Sequence, residues 1–344
     1  MKKSTKTLLS CCIALIVLVI LAEVELRALG AYGTWEENNQ GEYVSPFAVQ
    51  KASWHMLRPS NEKTKYSRPE FSFPLTTNSL GLRDTEHAIQ KPQGSRRIVI
   101  LGDSLVEGQG APFESTWPKI LEKHLNRYPG PVTTEILMGG VAGSDPFFCV
   151  QLLEDRLLGF QPDMLVMALS SFDIMDIIAR GGKERFLPDN RIQYNTAPFW
   201  EPLFAKSRLV RFVFIRLLGY DWLLMPPKNQ TSARKKAHDQ IVELALDLDR
   251  LGRENGFSPI FVLQPHIHEL QKGGYDRGLE DLGEKIRDAG IEVVDLLPCM
   301  EKTLRETGES LESFFWEKDY HPNSQGYALY ADCVGDYLTA ARLP

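Results

Sequence analysis

From Arg96 onward the chain alternates short, wholly apolar runs with longer stretches in which apolar residues recur every three or four positions. Arg97–Leu101 (RIVIL), Thr134–Met138, Asp163–Leu169 (DMLVMAL), Pro259–Leu263 (PIFVL) and Ile291–Leu296 (IEVVDL) have the length of strands buried on both faces. Helical periodicity predicts helices over about 115–127, 145–158, 232–255, 278–289 and 324–342. Ser115 is placed to cap the first of these, with Pro118 tolerated in its first turn. In the last, Tyr327, Tyr330, Ala331, Val334 and Leu338 share one face. Apolar strands separated by helices predict an α/β fold with a five-stranded parallel sheet covered on both sides.

Three stretches depart from this alternation. At the N-terminus, Lys2, Lys3 and Lys6 precede an uncharged, mostly apolar run from Thr7 to Ala22, after which Glu23, Glu25 and Arg27 restore charge. The run is short for a bilayer core, but Val24, Leu26, Ala28 and Leu29 could complete it. A single transmembrane helix over residues 1–32 is therefore expected, with a basic cytoplasmic tip and everything after about Tyr32 extracytoplasmic. A cleaved leader ending near Ala28-Leu29-Gly30 is the competing reading. Residues 33–95 are polar and rich in turn formers, and read as a linker and an irregular wrap. The main domain then occupies 96–344, with an insertion at about 180–231. Within it Ser207–Leu224 mixes Arg208, Arg211 and Arg216 with bulky apolar residues, as a helix capping the sheet or a lid near the substrate would.

A formal net charge of −6 argues against a nucleic-acid partner, which normally requires a basic face. Five cysteines do not form a disulfide framework. Cys11 and Cys12 fall in the expected anchor, leaving Cys149, Cys299 and Cys333. One bridge, for instance Cys299 with Cys333, is permitted without being required.

The candidate chemistry lies at the ends of strands. Ser104, in Gly102-Asp103-Ser104-Leu105, follows the first strand, where an open parallel sheet presents its ligand crevice. A serine hydroxyl needs a base to attack at neutral pH. His321, in Asp319-Tyr320-His321-Pro322-Asn323, precedes the last helix, with Asp319 near enough to orient the imidazole. Taken separately, each string is also what an ordinary capping turn looks like. Gln264-Pro265-His266-Ile267-His268-Glu269 follows the fourth strand. Its His-x-His-Glu pattern suggests metal, but no second ligand cluster appears, so it reads as a loop lining the cleft. No metal and no cofactor are expected.

Together, these segments resemble the GDSL, or SGNH, hydrolases. Residues 96–106 (RRIVILGDSLV) resemble that family's first block and 319–327 (DYHPNSQGY) its last. Met138-Gly139-Gly140-Val141-Ala142-Gly143 is similar to the second, and Asn78-Ser79-Leu80-Gly81-Leu82-Arg83 to the lead-in of anchored members. The resemblance implies a flavodoxin-like, three-layer α/β/α fold with Ser104 as nucleophile, His321 as base and Asp319 as its orienter. It further implies an oxyanion hole built from the amides of Ser104 and Gly140. The third block, Ser170-Ser171-Phe172-Asp173, has Phe172 where the family carries an amide donor, so either Ser170 or Ser171 substitutes, Ser171 being the position expected, or the two amides suffice. Asp103, Asp173 and His266 are expected to face the substrate. The implied activity is hydrolysis of acyl esters on a small molecule, lipid or envelope glycan. The rival readings are an O-acyltransferase with the same triad, a non-catalytic glycan-binding or assembly protein, and a metal-dependent phosphoesterase.

Overall fold

The computed structural model describes residues 2–33, 57–127, 131–187, 192–193, 197–220 and 224–340. They belong to two compact units, one of residues 1–53 with 178–235, the other of residues 54–177 with 236–344. The strands are β1 (Lys63–Ser67), β2 (Ser72–Thr76), β3 (Ser95–Gly102), β4 (Thr133–Gly140), β5 (Met164–Leu169), β6 (Ser258–Leu263) and β7 (Glu292–Asp295). The first six helices are α1 (Lys2–Ala28), α2 (Ser104–Glu107), α3 (Trp117–Leu125), α4 (Pro146–Leu152), α5 (Ser171–Arg180) and α6 (Glu201–Lys206). They are followed by α7 (Arg208–Arg211), α8 (Pro227–Asn255), α9 (Ile267–Lys272), α10 (Leu279–Asp288), α11 (Leu296–Thr307) and α12 (Ser324–Ala340).

The larger unit is built on the five-stranded parallel sheet, in the order β4-β3-β5-β6-β7. Its central strands are buried along nearly their whole length because helices cover both faces, hence the unbroken apolar runs. Register brings the strand ends level: Gly102 pairs with Gly140, Leu169 with Leu263, and Leu263 with Asp295. The chain enters at β3, goes to the edge at β4 and returns past β3 to β5, so the loops after β3 and β5 diverge and leave a crevice. Arg97, inside β3 and fully buried, donates to the carbonyls of Ala88 and Phe160 and to Glu135.

Residues 57–95 are more ordered than their composition predicts. β1 and β2 form an antiparallel hairpin whose Phe71, Phe73 and Leu75 make a small core with Tyr66 and Trp316. Pro74 inside β2 and the lysines of β1 hid this hairpin from a periodicity reading. Beyond it, Asn78 Oδ1 accepts the N–H groups of Leu80 and Leu82. That turn delivers Arg83, which donates to the carbonyls of Glu107, Gly108 and Ala111 at 3.0, 2.7 and 2.7 Å. Burial pushes the Arg83 guanidinium down to about 10, against the pull of Glu107. The chain behind Ser104 is thereby held by a buried cation.

The smaller unit corrects one expectation. Among the described residues no helix is long and apolar enough to cross a membrane. The expected transmembrane anchor, and the single-pass extracytoplasmic location inferred from it, are therefore withdrawn. The uncharged run from Thr7 to Ala22 rises about 24 Å, against a hydrocarbon core of roughly 30 Å. The charged residue that follows the run is held by the 207–209 segment. Glu23 accepts the Ser207 hydroxyl and the N–H groups of Arg208 and Leu209, while Arg208 donates to the carbonyls of Leu26 and Ala31. Burial alone would raise the Glu23 carboxyl, but these hydrogen bonds outweigh it and hold the carboxyl below its ordinary range. The single helix expected over Ser207–Leu224 is instead α7 and a wide turn of π-helix over Phe212–Leu217. Phe204, Ala205 and Leu224 form the core there, with Trp200, Val210, Phe214 and Ile215 around them.

Cys299 on α11 and Cys333 on α12 form a disulfide with a sequence separation of 34 residues. Closing a loop of that length removes about 3–4 kcal/mol of unfolded-state entropy. Urea unfolding of the Cys299→Ala/Cys333→Ala double variant is expected to show a loss of that size, with the fold retained.

Candidate active site

Gly102 ends β3, and Asp103 turns the chain into α2 by accepting the Leu105 N–H at 2.9 Å. Ser104 is thus the first residue of α2, with its hydroxyl at the crevice and its N–H lacking an intrahelical acceptor. Because α2 is a single turn ended by Gly108 in the left-handed region, the chain doubles back and places Gln109 beside the same site. On the other side, Asn323 Oδ1 accepts the N–H groups of Gln325 and Gly326 at the start of α12, so the preceding loop ends at a fixed point.

The two loops meet. Ser104 Oγ lies 2.8 Å from His321 Nε2, and His321 Nδ1 lies 2.6 Å from Asp319 Oδ1. Burial alone would raise the Asp319 carboxyl, but the hydrogen bond and charge of His321 outweigh it and hold it below its ordinary range. Asp319 stays ionised and fixes Nδ1 as the protonated nitrogen, leaving Nε2 to accept the serine proton. Tyr320, between them, has φ of 65°, a conformation bulky residues seldom adopt without being held there. Gln109 Nε2 comes within 3.4 Å of Nδ1. No spacing rule would have singled Gln109 out, since only the short α2 brings it back.

The remaining expected positions are arranged differently. Gly140 is buried against α2, where an added Cβ would lie 2.2 Å from the Glu107 nitrogen. Glycine is required there so that the edge strand can pass under the nucleophile turn. The exposed glycine of this segment is Gly143, with φ of 76° and open space around it. Ser171 is buried, and its hydroxyl accepts from Arg277 at 3.1 Å. Asp103 and Asp173 both turn inward. Asp103 accepts the Ser170 hydroxyl at 3.2 Å, and Asp173 accepts the Ser170 N–H at 2.6 Å. Burial first, then the neighbouring Asp103 charge, pushes the Asp173 carboxyl well above the usual carboxylate range.

Phe172 is 43% exposed, with its ring edge-on to His266 at 4.5 Å and the Arg277 guanidinium 5.2 Å from its centre. At the start of α9 the Glu269 N–H donates to the His266 carbonyl at 3.0 Å, while the Glu269 carboxylate accepts the His266 N–H at 2.8 Å. His266 Nε2 is shielded without a partner. Burial, then the charges of His321 and Arg277, pushes His266 down to about 3, so the imidazole is neutral. His268 pairs with Gln271 and packs against Tyr320. Glu269 is occupied by the His266 and Asp276 amides, so the His-x-His-Glu string is not a converging ligand set. Among the described residues no group of three or more His, Cys, Asp or Glu could hold a metal ion.

A hydroxyl, an imidazole and a carboxylate in hydrogen-bonded series, at the carboxyl ends of a parallel sheet, define a site of the serine-hydrolase kind. No known family profile matches the chain, and no curated protein sequence matches it. Solved structures similar to it include a two-domain esterase active on acetylated mannans, at 12% identity and a TM-score of 0.44, covering 72% of this chain and 50% of that one. This chain thus spans about half the length of that esterase. A lipolytic protein of the G-D-S-L family from Desulfitobacterium hafniense aligns at 13% identity and a TM-score of 0.41, covering 70% and 98% of the two chains. The acetylxylan esterase Axe2 of Geobacillus stearothermophilus aligns at 11% and 0.45, covering 72% and 95%. With each TM-score below 0.5, the functional reading rests on this chain's own side chains.

The inward-facing Asp173 generates a pH dependence. A carboxyl whose value is raised by folding makes the folded state less stable as pH climbs through and above the ordinary carboxylate range. Urea unfolding at about pH 4.5 and 7.5 is expected to show Asp173→Asn losing less stability across that interval than the wild type, because the amide keeps the acceptor without the charge.

Proposed function

We propose that this chain is an ester hydrolase of the GDSL/SGNH type, acting through an acyl-Ser104 intermediate. The observation that carries the reading is the continuous series Ser104 Oγ–His321 Nε2 and His321 Nδ1–Asp319 Oδ1 at 2.8 and 2.6 Å. As Ser104 Oγ attacks the ester carbonyl, its proton passes to His321 Nε2, and Asp319 stabilises the imidazolium. The proton then goes to the leaving alkoxide, and the alcohol departs. In the second half-reaction His321 takes a proton from water, the hydroxide attacks the acyl-serine, and the carboxylic acid and free serine are released.

The oxyanion that forms in each half needs donors already in place. The Ser104 amide supports that role by its position at the start of α2. Gly140 lies directly against α2, so its amide is kept as the second donor, while the Val141 N–H that follows is taken by the Gly102 carbonyl. Phe172 offers no side-chain donor; the Ser171 hydroxyl accepts from Arg277, which leaves its own O–H to serve as the third donor. An acylated small molecule, lipid or glycan remains the substrate class. The specific case for an envelope substrate lapses with the membrane span on which it rested.

Two measurements test this on a short-chain aryl ester. Ser104→Ala is expected to lower kcat by at least about 10⁴-fold and to abolish labelling by a fluorophosphonate. Equal rates in wild type and variant would remove the mechanism. Asp319→Asn is expected to keep the fold and reduce kcat by about 10³–10⁴-fold, because the imidazole loses its tautomer control.

A further inference from the structure

The turn between β1 and β2 reaches the triad from outside the sheet. Glu70 Oε2 accepts the backbone N–H of Lys318 at 2.9 Å and that of Asp319 at 2.7 Å, contacts 248 and 249 residues apart in sequence. The loop that carries Asp319 closes on itself through other groups. Trp316 N–H donates to the His321 carbonyl, Tyr320 N–H to the Trp316 carbonyl, and Phe315 bridges to Pro322. The two amides bound by Glu70 stand outside that internal closure, and the second of them belongs to Asp319 itself. They immediately precede Tyr320, whose left-handed backbone must be held by its surroundings.

The turn that presents Glu70 is itself fixed. Arg68 N–H donates to the Phe71 carbonyl at 2.9 Å. The Phe71 ring lies 5.3 Å from that of Trp316, whose indole N–H donates to the Gly110 carbonyl at 2.8 Å. Hairpin, triad loop and the segment after α2 are thereby joined into one support. Arg68 also contributes positive charge that favours the ionised Asp319.

We propose that Glu70 is a positioning residue for the triad: by clamping the Lys318 and Asp319 amides it holds the Asp319 carboxylate against His321 Nδ1. A carboxylate is the strongest acceptor available for two adjacent N–H groups. Its hydrogen bonds go to backbone outside the reacting series, so it acts through Asp319. Without it the peptide before Tyr320 is free to rotate, the 2.6 Å contact opens, and the imidazole loses its orientation. A displacement on the order of 1 Å at such a group costs up to about 100-fold in rate.

This inference rests on the acyl-serine reading for its kinetic consequence but not for its structural one, and the test separates the two. The full chain is compared with Glu70→Ala and Glu70→Gln, using aryl acetate kinetics, the low-field imidazole Nδ1–H resonance in proton NMR, and circular dichroism to confirm folding. Glu70→Ala is expected to lower kcat about 10–100-fold with KM changed less than about twofold, and to lose the low-field resonance. Glu70→Gln, which keeps an oxygen acceptor without the charge, is expected to restore both to near the wild-type level. Wild-type kcat and an unchanged resonance in a folded Glu70→Ala would overturn the proposal, as would a loss that Glu70→Gln fails to rescue. If the wild type hydrolyses no ester, the proposed function falls, and the resonance in the same three proteins still decides the clamp.

Discussion

The hydrogen bond from Ser104 Oγ to His321 Nε2 joins loops 217 residues apart, and it forms because two independent turns end at the same height. One height is set by parallel register: β3 stops at Gly102, level with Gly140 on one side, while β5 and β6 stop together at Leu169 and Leu263. The other is set by α12, whose first turn is capped by Asn323 and whose Tyr327 hydroxyl reaches back to the Gln109 carbonyl at 2.7 Å. Neither loop is long enough to search for its partner. Packing brings them together, so the chemistry inherits its precision from the sheet.

Much of the polarity near the site serves structure before chemistry. Asp103, Ser170 and Asp173 form a hydrogen-bonded series beneath the Ser104 turn, and Arg83 satisfies three carbonyls behind it. A buried polar group without a partner is costly, so a tight turn carrying a reactive hydroxyl needs such support to persist. The shielded His266 Nε2 and the exposed Phe172 are the exceptions at the crest. They give that wall a neutral imidazole and an apolar surface where an amide donor is expected by resemblance.

The N-terminal helix shows how tertiary contacts redirect an apolar run. Val24, Leu26, Ala28 and Leu29 looked able to extend it, but Glu23 stands between them and the run and is the acceptor for the 207–209 segment. A carboxylate satisfied by three donors is a fixed polar junction, which no hydropathy pattern displays.

By itself the sequence determined the five strands and that they run parallel, since burial on both faces demands largely apolar runs; their order in the sheet came only from the structure. It also determined that a serine and an Asp-x-His string would stand at strand and helix ends, because turn and cap residues act locally. Only the tertiary structure decided which neighbours support them. The β1–β2 hairpin carries too weak an alternation to be read, Gln109 returns to the site through a one-turn helix, and Glu70 meets Asp319 across most of the chain. Gly140 is buried and Gly143 exposed for the same reason: the close passage of β4 beneath α2 is a property of packed layers, which residue spacing along the chain does not encode.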